Sequence, residues 1–362
     1  MDTSPPRICL NMIVKDEAPV IGRCLAALRG FVDQWVIVDT GSTDGTPDLV
    51  RQHLDGLPGR LHYRPWRHFE HNRNEALDLA LRELRPVDYL FFIDADETLA
   101  LAPDWRRPPL SADAYQLQCH YEQLVYARTA LVPARLPWRW RGVVHEGLYA
   151  DVPTQTATLT GAVVQVAHDG ARSRDPQTYR KDAALLEDAL RADPANARNV
   201  YYLAQSLRDA GELARSRDVY RQRAAMSGWE EEAWHAQYQA ALLTDRLGDA
   251  PAEVAFAYQQ AYARRPGRAE PLLQLARWHR LRGEHVLALL FARQALTLPR
   301  PEDILFIEEA VYRWQVLDEV SVCAWYAGAK AEGRQATERL LAMADIPPEV
   351  RGRALQNAKF YA

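Results

Sequence analysis

Cysteine is scarce in this chain of 362 residues. Cys9, Cys24, Cys119 and Cys323 lie far apart and form no Cys-x-x-Cys pair. That pattern speaks against a zinc ribbon or a disulfide scaffold and suits a reducing compartment. No apolar run approaches the roughly 18 residues needed to cross a bilayer. The opening MDTSPPRICL has no charged segment leading into a long apolar one, so no signal peptide is expected. The expectation is a cytoplasmic protein without a transmembrane segment, with peripheral attachment at the inner membrane face left open. Basic charge is not in excess either. A net charge of -4 gives no reason to expect nucleic acid or an anionic membrane as a partner. No Gly-Lys-Ser/Thr follows any glycine-rich turn, which removes the P-loop.

What is present divides into two halves with different periods. ICLNMIV (8–14) reads as a buried strand. Val20, Ile21, Cys24, Leu25 and Leu28 then form a helical stripe ending at Gly30. A strand at 35–39, a helix near 44–54, a strand at 61–64, a helix near 72–84 and a strand at 89–94 follow. This alternation predicts an α/β domain with a mainly parallel, doubly wound sheet, whose ligands sit beyond the carboxyl ends of the strands. AYQLQCHYEQLVYARTALVPARL alternates in two runs and predicts an antiparallel extension.

From about Asp175 the chain turns rich in Ala, Leu, Arg and Glu at helical spacing. Gly211, Gly248 and Gly283 recur at close to the period of a helical hairpin of roughly 34 residues. Placing each at an inter-helix turn puts Leu203, Ala204, Leu207 and Tyr220, then Leu275, Ala276, Ala288 and Ala295, at packing positions. Pro266 marks the end of the second copy, and a degenerate fourth is expected to turn at Gly333. The pattern resembles tetratricopeptide repeats; an ordinary helical bundle is the alternative. The expected domains are 1–172 and 173–362.

The chemistry concentrates in the first half. VIVDTGSTDGT (36–46) puts Asp39 at a strand end, before a turn in which Ser42, Thr43 or Asp44 could cap the next helix. Asp39 could accept hydrogen bonds from a base or ribose, or simply close the turn. HFEHNRNEALDLAL (68–81) offers Arg73 as a cation near phosphate or base, or as an ordinary ion pair. LFFIDADETL (90–99) runs from four large apolar residues into Asp94, Asp96 and Glu97. Two aspartates one residue apart can present oxygens to Mg²⁺ or Mn²⁺, whose shell a diphosphate completes. The same stretch fits the first motif of haloacid-dehalogenase-type phosphatases, with Asp94 as nucleophile. That motif normally opens its fold, and its later paired acids are missing here, since no Asp-Asp occurs.

WRWRGVVHEGLY (138–149) is not a zinc helix, because Tyr149 stands where a second histidine is required. His145 reads as structural and Glu146 as a general base. His168, in QVAHDG, reads equally as a third metal ligand or an exposed loop residue. Trp138 and Trp140 could stack on a sugar or belong to the core.

Four stretches in order, MIVKDEA, IVDTGSTDGT, RNEAL and FIDADE, together resemble family 2 glycosyltransferases of the GT-A fold. The HE segment, the helical repeats and RRPGRAEPL (264–272) resemble a bacterial subgroup with this two-part layout. The resemblance implies a nucleotide-diphosphate sugar donor, with UDP-sugar the commoner expectation, and Mn²⁺ or Mg²⁺ as cofactor. It implies that Asp39 contacts base or ribose, that Lys15, Asp16 and Glu17 wall the nucleotide pocket, and that Arg73 lies against the nucleotide. Asp44 is grouped with the nucleotide-binding residues, and Asp94 and Asp96 match the metal-binding Asp-x-Asp pair. Glu146 resembles the base of an inverting enzyme. Asp16 departs from the family, where asparagine is frequent. The acceptor is expected to be a glycan or a protein or peptide. The repeats would bind it or a partner, or pair two copies of the chain. A phosphatase using Asp94 and a non-catalytic repeat scaffold are the rival functions.

Overall fold

The computed structural model describes residues 4–122 and 124–361, with the backbone alone at residue 124. They form two compact units, Met1–Arg191 and Ala192–Ala362.

In the first unit, β1 (Ile8–Val14), β2 (Gln34–Asp39), β3 (Gly59–Tyr63) and β4 (Tyr89–Phe91) alternate with α1 (Ile21–Leu28), α2 (Thr46–His53) and α3 (Phe69–Leu81). β5 (Thr98–Leu101), β6 (Ala114–Tyr121), β7 (Leu124–Pro133), a separate ribbon of β8 (Trp138–Arg141) and β9 (Gly147–Ala150), and β10 (Thr156–Gln165) follow. The short α4 (Ala171–Arg174) and α5 (Thr178–Ala192) complete the unit. The main sheet has the order β3-β2-β1-β4-β7-β6-β10-β5. Its first four strands are parallel. β7 pairs antiparallel with both β4 and β6, as the alternating hairpin pattern predicted.

The parallel strands are continuous apolar runs because helices cover both faces. Every residue of β2 is buried. Leu10, Met12 and Ile37 face a core shared with Ile21, Cys24, Leu25 and Leu28 of α1. Cys9, Val36 and Val38 face the opposite core, with Ala76, Leu77 and Ala80 of α3 and with Trp138. β4 stops at Phe91, short of the expected 94; the Phe92 N–H still donates to the Ala130 carbonyl of β7, and the chain turns at Ala95 and Asp96.

The second unit is all-helical: α6 (Ala197–Asp209) with α7 (Leu213–Ala225), α8 (Glu230–Arg246) with α9 (Pro251–Arg264), α10 (Glu270–Leu281) with α11 (His285–Leu296), α12 (Val316–Tyr326) with α13 (Lys330–Ala342), then α14 (Pro348–Ala358). These are tetratricopeptide-like hairpins. Leu203, Ala204, Leu207, Tyr220, Leu275, Ala276, Ala288 and Ala295 are all buried. Gly211, Gly248 and Gly283 sit at the turns with φ of 83°, 72° and 76°, a left-handed conformation that favours glycine. The fourth turn is corrected from Gly333 to Gly328, whose φ is 78°. Gly333 lies inside α13, where its missing side chain leaves room for the Tyr361 ring.

One feature of this unit was not foreseen. Residues 297–308, between α11 and α12, are non-helical, and a π-helical turn, Val311–Gln315, precedes α12. Arg268, from the RRPGRAEPL stretch, clasps them. Its guanidinium meets Asp303 at 3.0 Å, donates to the carbonyl oxygens of Leu305 and Phe306, and lies 3.9 Å from the Trp234 ring centroid. The stretch singled out by resemblance is therefore a structural clasp.

Candidate active site

The expected site residues gather beyond the carboxyl ends of the parallel strands. At the end of β2, Asp39 accepts the backbone N–H groups of Gly41 and Ser42, both at 3.0 Å through Oδ1. Its Oδ2 is buried and has no hydrogen-bond partner among the described residues. A carboxylate oxygen left unpaired inside a protein is costly, so this one calls for a donor.

The loop after β1 lies against the loop after β2. Asp16 has φ 55°, a region that aspartate and asparagine tolerate better than most residues, which accounts for either occurring here. Its Oδ1 accepts the Thr43 N–H at 2.7 Å, and its own N–H donates to Ser42 Oγ at 2.9 Å. Asp44 accepts from the Ala18 N–H and from the N–H and hydroxyl of Thr46. Burial acts upward on its carboxyl, but these donors hold it below the usual range. Asp44 thus ties a loop to the start of α2. Lys15 is exposed.

Glu17 accepts the Ala171 N–H at 2.9 Å, and Asp96 accepts the Gly170 N–H at 3.2 Å. Burial pushes both carboxyls upward, and the neighbouring acids push them further: Asp96 and Asp94 act on Glu17, Asp94 and Asp169 on Asp96. Gly170 allows this approach, since a Cβ there would meet Asp96 Oδ2 at 2.9 Å. The Asp94 carboxyl is also raised by burial, but Arg73 and Arg128 outweigh this and hold it below the usual range.

Arg73, on α3, reaches two acids. Nη2 donates to Asp94 Oδ1 at 2.6 Å and Nε to Glu146 Oε1 at 2.5 Å, while the guanidinium lies 4.8 Å from the Trp140 ring centroid. Glu146 follows His145, an exposed residue with φ 53°. Asp94, Glu146, Arg73 and Trp140 line a cavity of about 370 Å³, together with Gln116, Arg128 and Tyr149 among others. Sequence spacing alone did not show that Asp94 and Glu146 share one guanidinium.

Trp138 is a core residue, 5% exposed, and not a sugar platform. Trp140 lines the cavity, but its faces meet Arg73 and the Phe92 ring. His168 is exposed and its ring stacks on Tyr121, with centroids 4.3 Å apart. Among the described residues no three His, Cys, Asp or Glu side chains form a metal-holding group. The pair Asp94 and Asp96 still fits a divalent cation that draws its remaining oxygens from phosphate and water. Asp96 is crowded by like charge and meets backbone donors alone, a deficit that a cation would satisfy.

Arg128 was missed by sequence reading. A lone arginine in an alternating strand signals nothing until the strand pairing is known. Glu97 is buried and held by Arg128.

Residues 9–105 match the profile described as Glycosyl transferase family 2. The N-terminal unit carries a family 2 glycosyltransferase domain. The match includes FIDADE, which the rival phosphatase reading had also claimed. The family 2 domain has similar relatives. A lipopolysaccharide core biosynthesis glycosyltransferase, LpsC, of Rhizobium meliloti (strain 1021) is 40% identical over 93 residues, which are 25% of this chain and 30% of that protein. The SPbeta prophage-derived glycosyltransferase SunS of Bacillus subtilis (strain 168) is 21% identical over 215 residues, 56% of this chain and 49% of that protein. The chain thus spans half or less of the length of these curated relatives. A solved tetratricopeptide protein, YrrB, aligns at 16% identity with a TM-score of 0.39, covering 49% of this chain and 82% of that one. Among the described residues no helix is long and apolar enough to cross a membrane.

Proposed function

We propose that the protein is an inverting, metal-dependent glycosyltransferase that moves a sugar from a nucleotide-diphosphate donor, a UDP-sugar, to a glycan or protein acceptor. The observation that carries this reading is the convergence of Asp39, Asp94, Asp96, Arg73 and Glu146 at the carboxyl end of the parallel strands of a family 2 domain. The unpaired Asp39 oxygen would accept from the base or ribose, with Lys15 and Glu17 walling the same pocket. Asp94 and Asp96 would hold Mn²⁺ or Mg²⁺, which when bound neutralises charge on the departing diphosphate.

Glu146 would act as general base on the acceptor nucleophile within the 370 Å³ cavity. Arg73 fixes the orientation of Glu146 and keeps it close to Asp94. Phe92, Ile93, Trp140, Leu148 and Tyr149 add apolar and aromatic wall beside the charged groups of this cavity. A relative named for lipopolysaccharide core biosynthesis keeps a glycan acceptor in view. The helical repeats would bind the acceptor or a partner.

The test is donor hydrolysis and transfer with a panel of nucleotide sugars plus Mn²⁺. Turnover by the wild-type chain that Asp96→Ala and Glu146→Gln both abolish supports the reading. Turnover left intact in both variants refutes it.

A further inference from the structure

The acid after the Asp-x-Asp pair presents a puzzle. Glu97 is 3% exposed, although a buried carboxylate is expensive unless it is paired. Its partner comes from β7. Phe91 pairs with Leu131 in the β4–β7 ladder, and the antiparallel run carries Arg128 to the level of Asp94. Arg128 grips Glu97 with two N–H groups, at 2.9 and 2.5 Å. Glu97 Oε2 in turn accepts the Asp94 backbone N–H at 3.0 Å, and the Glu97 N–H donates to the Asp94 carbonyl at 3.1 Å. These last two bonds close the turn 94–97 into a ring. They fix the backbone of Asp94, Ala95 and Asp96, and so the directions in which both aspartates leave the chain.

Ala95 points into the core and is 6% exposed, which pins the turn from below. The ring holds its shape only while Glu97 keeps one rotamer, and the two-pronged grip of a planar guanidinium selects that rotamer. Arg128 also lines the cavity, so the brace lies immediately behind the site.

We infer that Arg128 and Glu97 are a positioning pair that presets the two aspartates for a divalent cation carrying a nucleoside diphosphate. This rests on the glycosyltransferase reading above. Neither residue needs to touch the ligand. Outer-shell partners of metal ligands act this way, and their loss weakens metal affinity by about 10- to 100-fold.

The experiment is calorimetric titration of UDP, with and without Mn²⁺, into the full chain. Arg128→Met and Glu97→Gln should each weaken Mn²⁺-dependent UDP binding by at least about tenfold and leave metal-free UDP binding unchanged. The double variant should be no worse than the weaker single variant, because both changes break one device. Arg128→Lys keeps the charge without the fork and should fall between. If Arg128→Met does not fold, Glu97→Gln carries the test, since it preserves size. Wild-type affinity in both variants overturns the proposal. So does an equal loss of metal-free and metal-dependent binding, the mark of a merely structural role. A wild-type chain showing no Mn²⁺-dependent binding of UDP, GDP, CDP or dTDP would overturn the function itself, and the pair's role with it.

Discussion

The two units treat their acids in opposite ways. In the repeat unit, Glu270 is fully buried and receives the Arg268 fork and the Tyr312 hydroxyl; Glu232 is held by Arg223, and Glu319 by Arg280. In the first unit, one Asp39 oxygen has no hydrogen-bond partner among the described residues, and Asp96 meets backbone N–H groups alone while like charges crowd it. Paired acids hold a fold together, whereas under-paired acids at strand ends leave room for a ligand. The contrast is local rather than a rule of the whole unit. Asp88, also in the first unit, is buried and held by both Arg7 and Arg85, well below the usual carboxylate range.

The strongest way to break the contrast is to remove acids of each kind. Asp96→Ala or Glu146→Gln should lower turnover by about 100-fold or more, measured with saturating donor and Mn²⁺, with the melting temperature retained. Arg268→Met should do the reverse. It takes the guanidinium from the fully buried Glu270, so denaturant unfolding should show a loss of about 3–5 kcal/mol. Metal-dependent nucleotide binding should persist wherever the variant stays folded.

A smaller effect sharpens the comparison through pH. His235, in the repeat unit, is buried against the Tyr201 hydroxyl and Phe306, and burial, with Arg208 and Arg268 nearby, lowers its pKa to about 3. The unfolded chain binds a proton near the ordinary imidazole pKa of about 6.5, where the folded chain does not. Stability is therefore full above that pH and declines as pH falls toward 3, by up to about 1.4 kcal/mol per pH unit. His235→Gln should flatten this slope in chemical denaturation curves recorded between those limits.

The smallest effect has the opposite sign. Burial, and then the like charge of Asp94, raise the Asp96 pKa, so its ionised form opposes folding at neutral pH and is relieved as pH falls. Asp96→Asn should stabilise the metal-free protein slightly, by under about 1 kcal/mol, while weakening metal binding.

How far the sequence carried these conclusions follows from the range of the interactions involved. β1 was read at Ile8–Val14, where it lies, because a strand buried on both faces is written as one apolar run. The hairpin glycines at 211, 248 and 283 were readable because each turn requires a left-handed residue. Gly333 misled because glycine also serves where a ring packs close, and only the position of Tyr361 reveals that. The acids at 39, 94 and 96 were visible as strand-end motifs. Their partners were not: Arg128 reaches Glu97 through strand pairing, and Arg73 joins Asp94 to Glu146 across distant segments. The 303–308 clasp was likewise invisible, since Arg268 finds it only after three helices and a loop have packed.

The most direct test is a thermal-shift comparison of the wild-type chain and Asp96→Ala with UDP, with Mn²⁺ and with both. Wild type should gain stability from UDP and Mn²⁺ together beyond the sum of each alone, and Asp96→Ala should lose that extra gain. An equal gain in both proteins would contradict the account, as would no gain with UDP, GDP, CDP or dTDP in the wild-type chain.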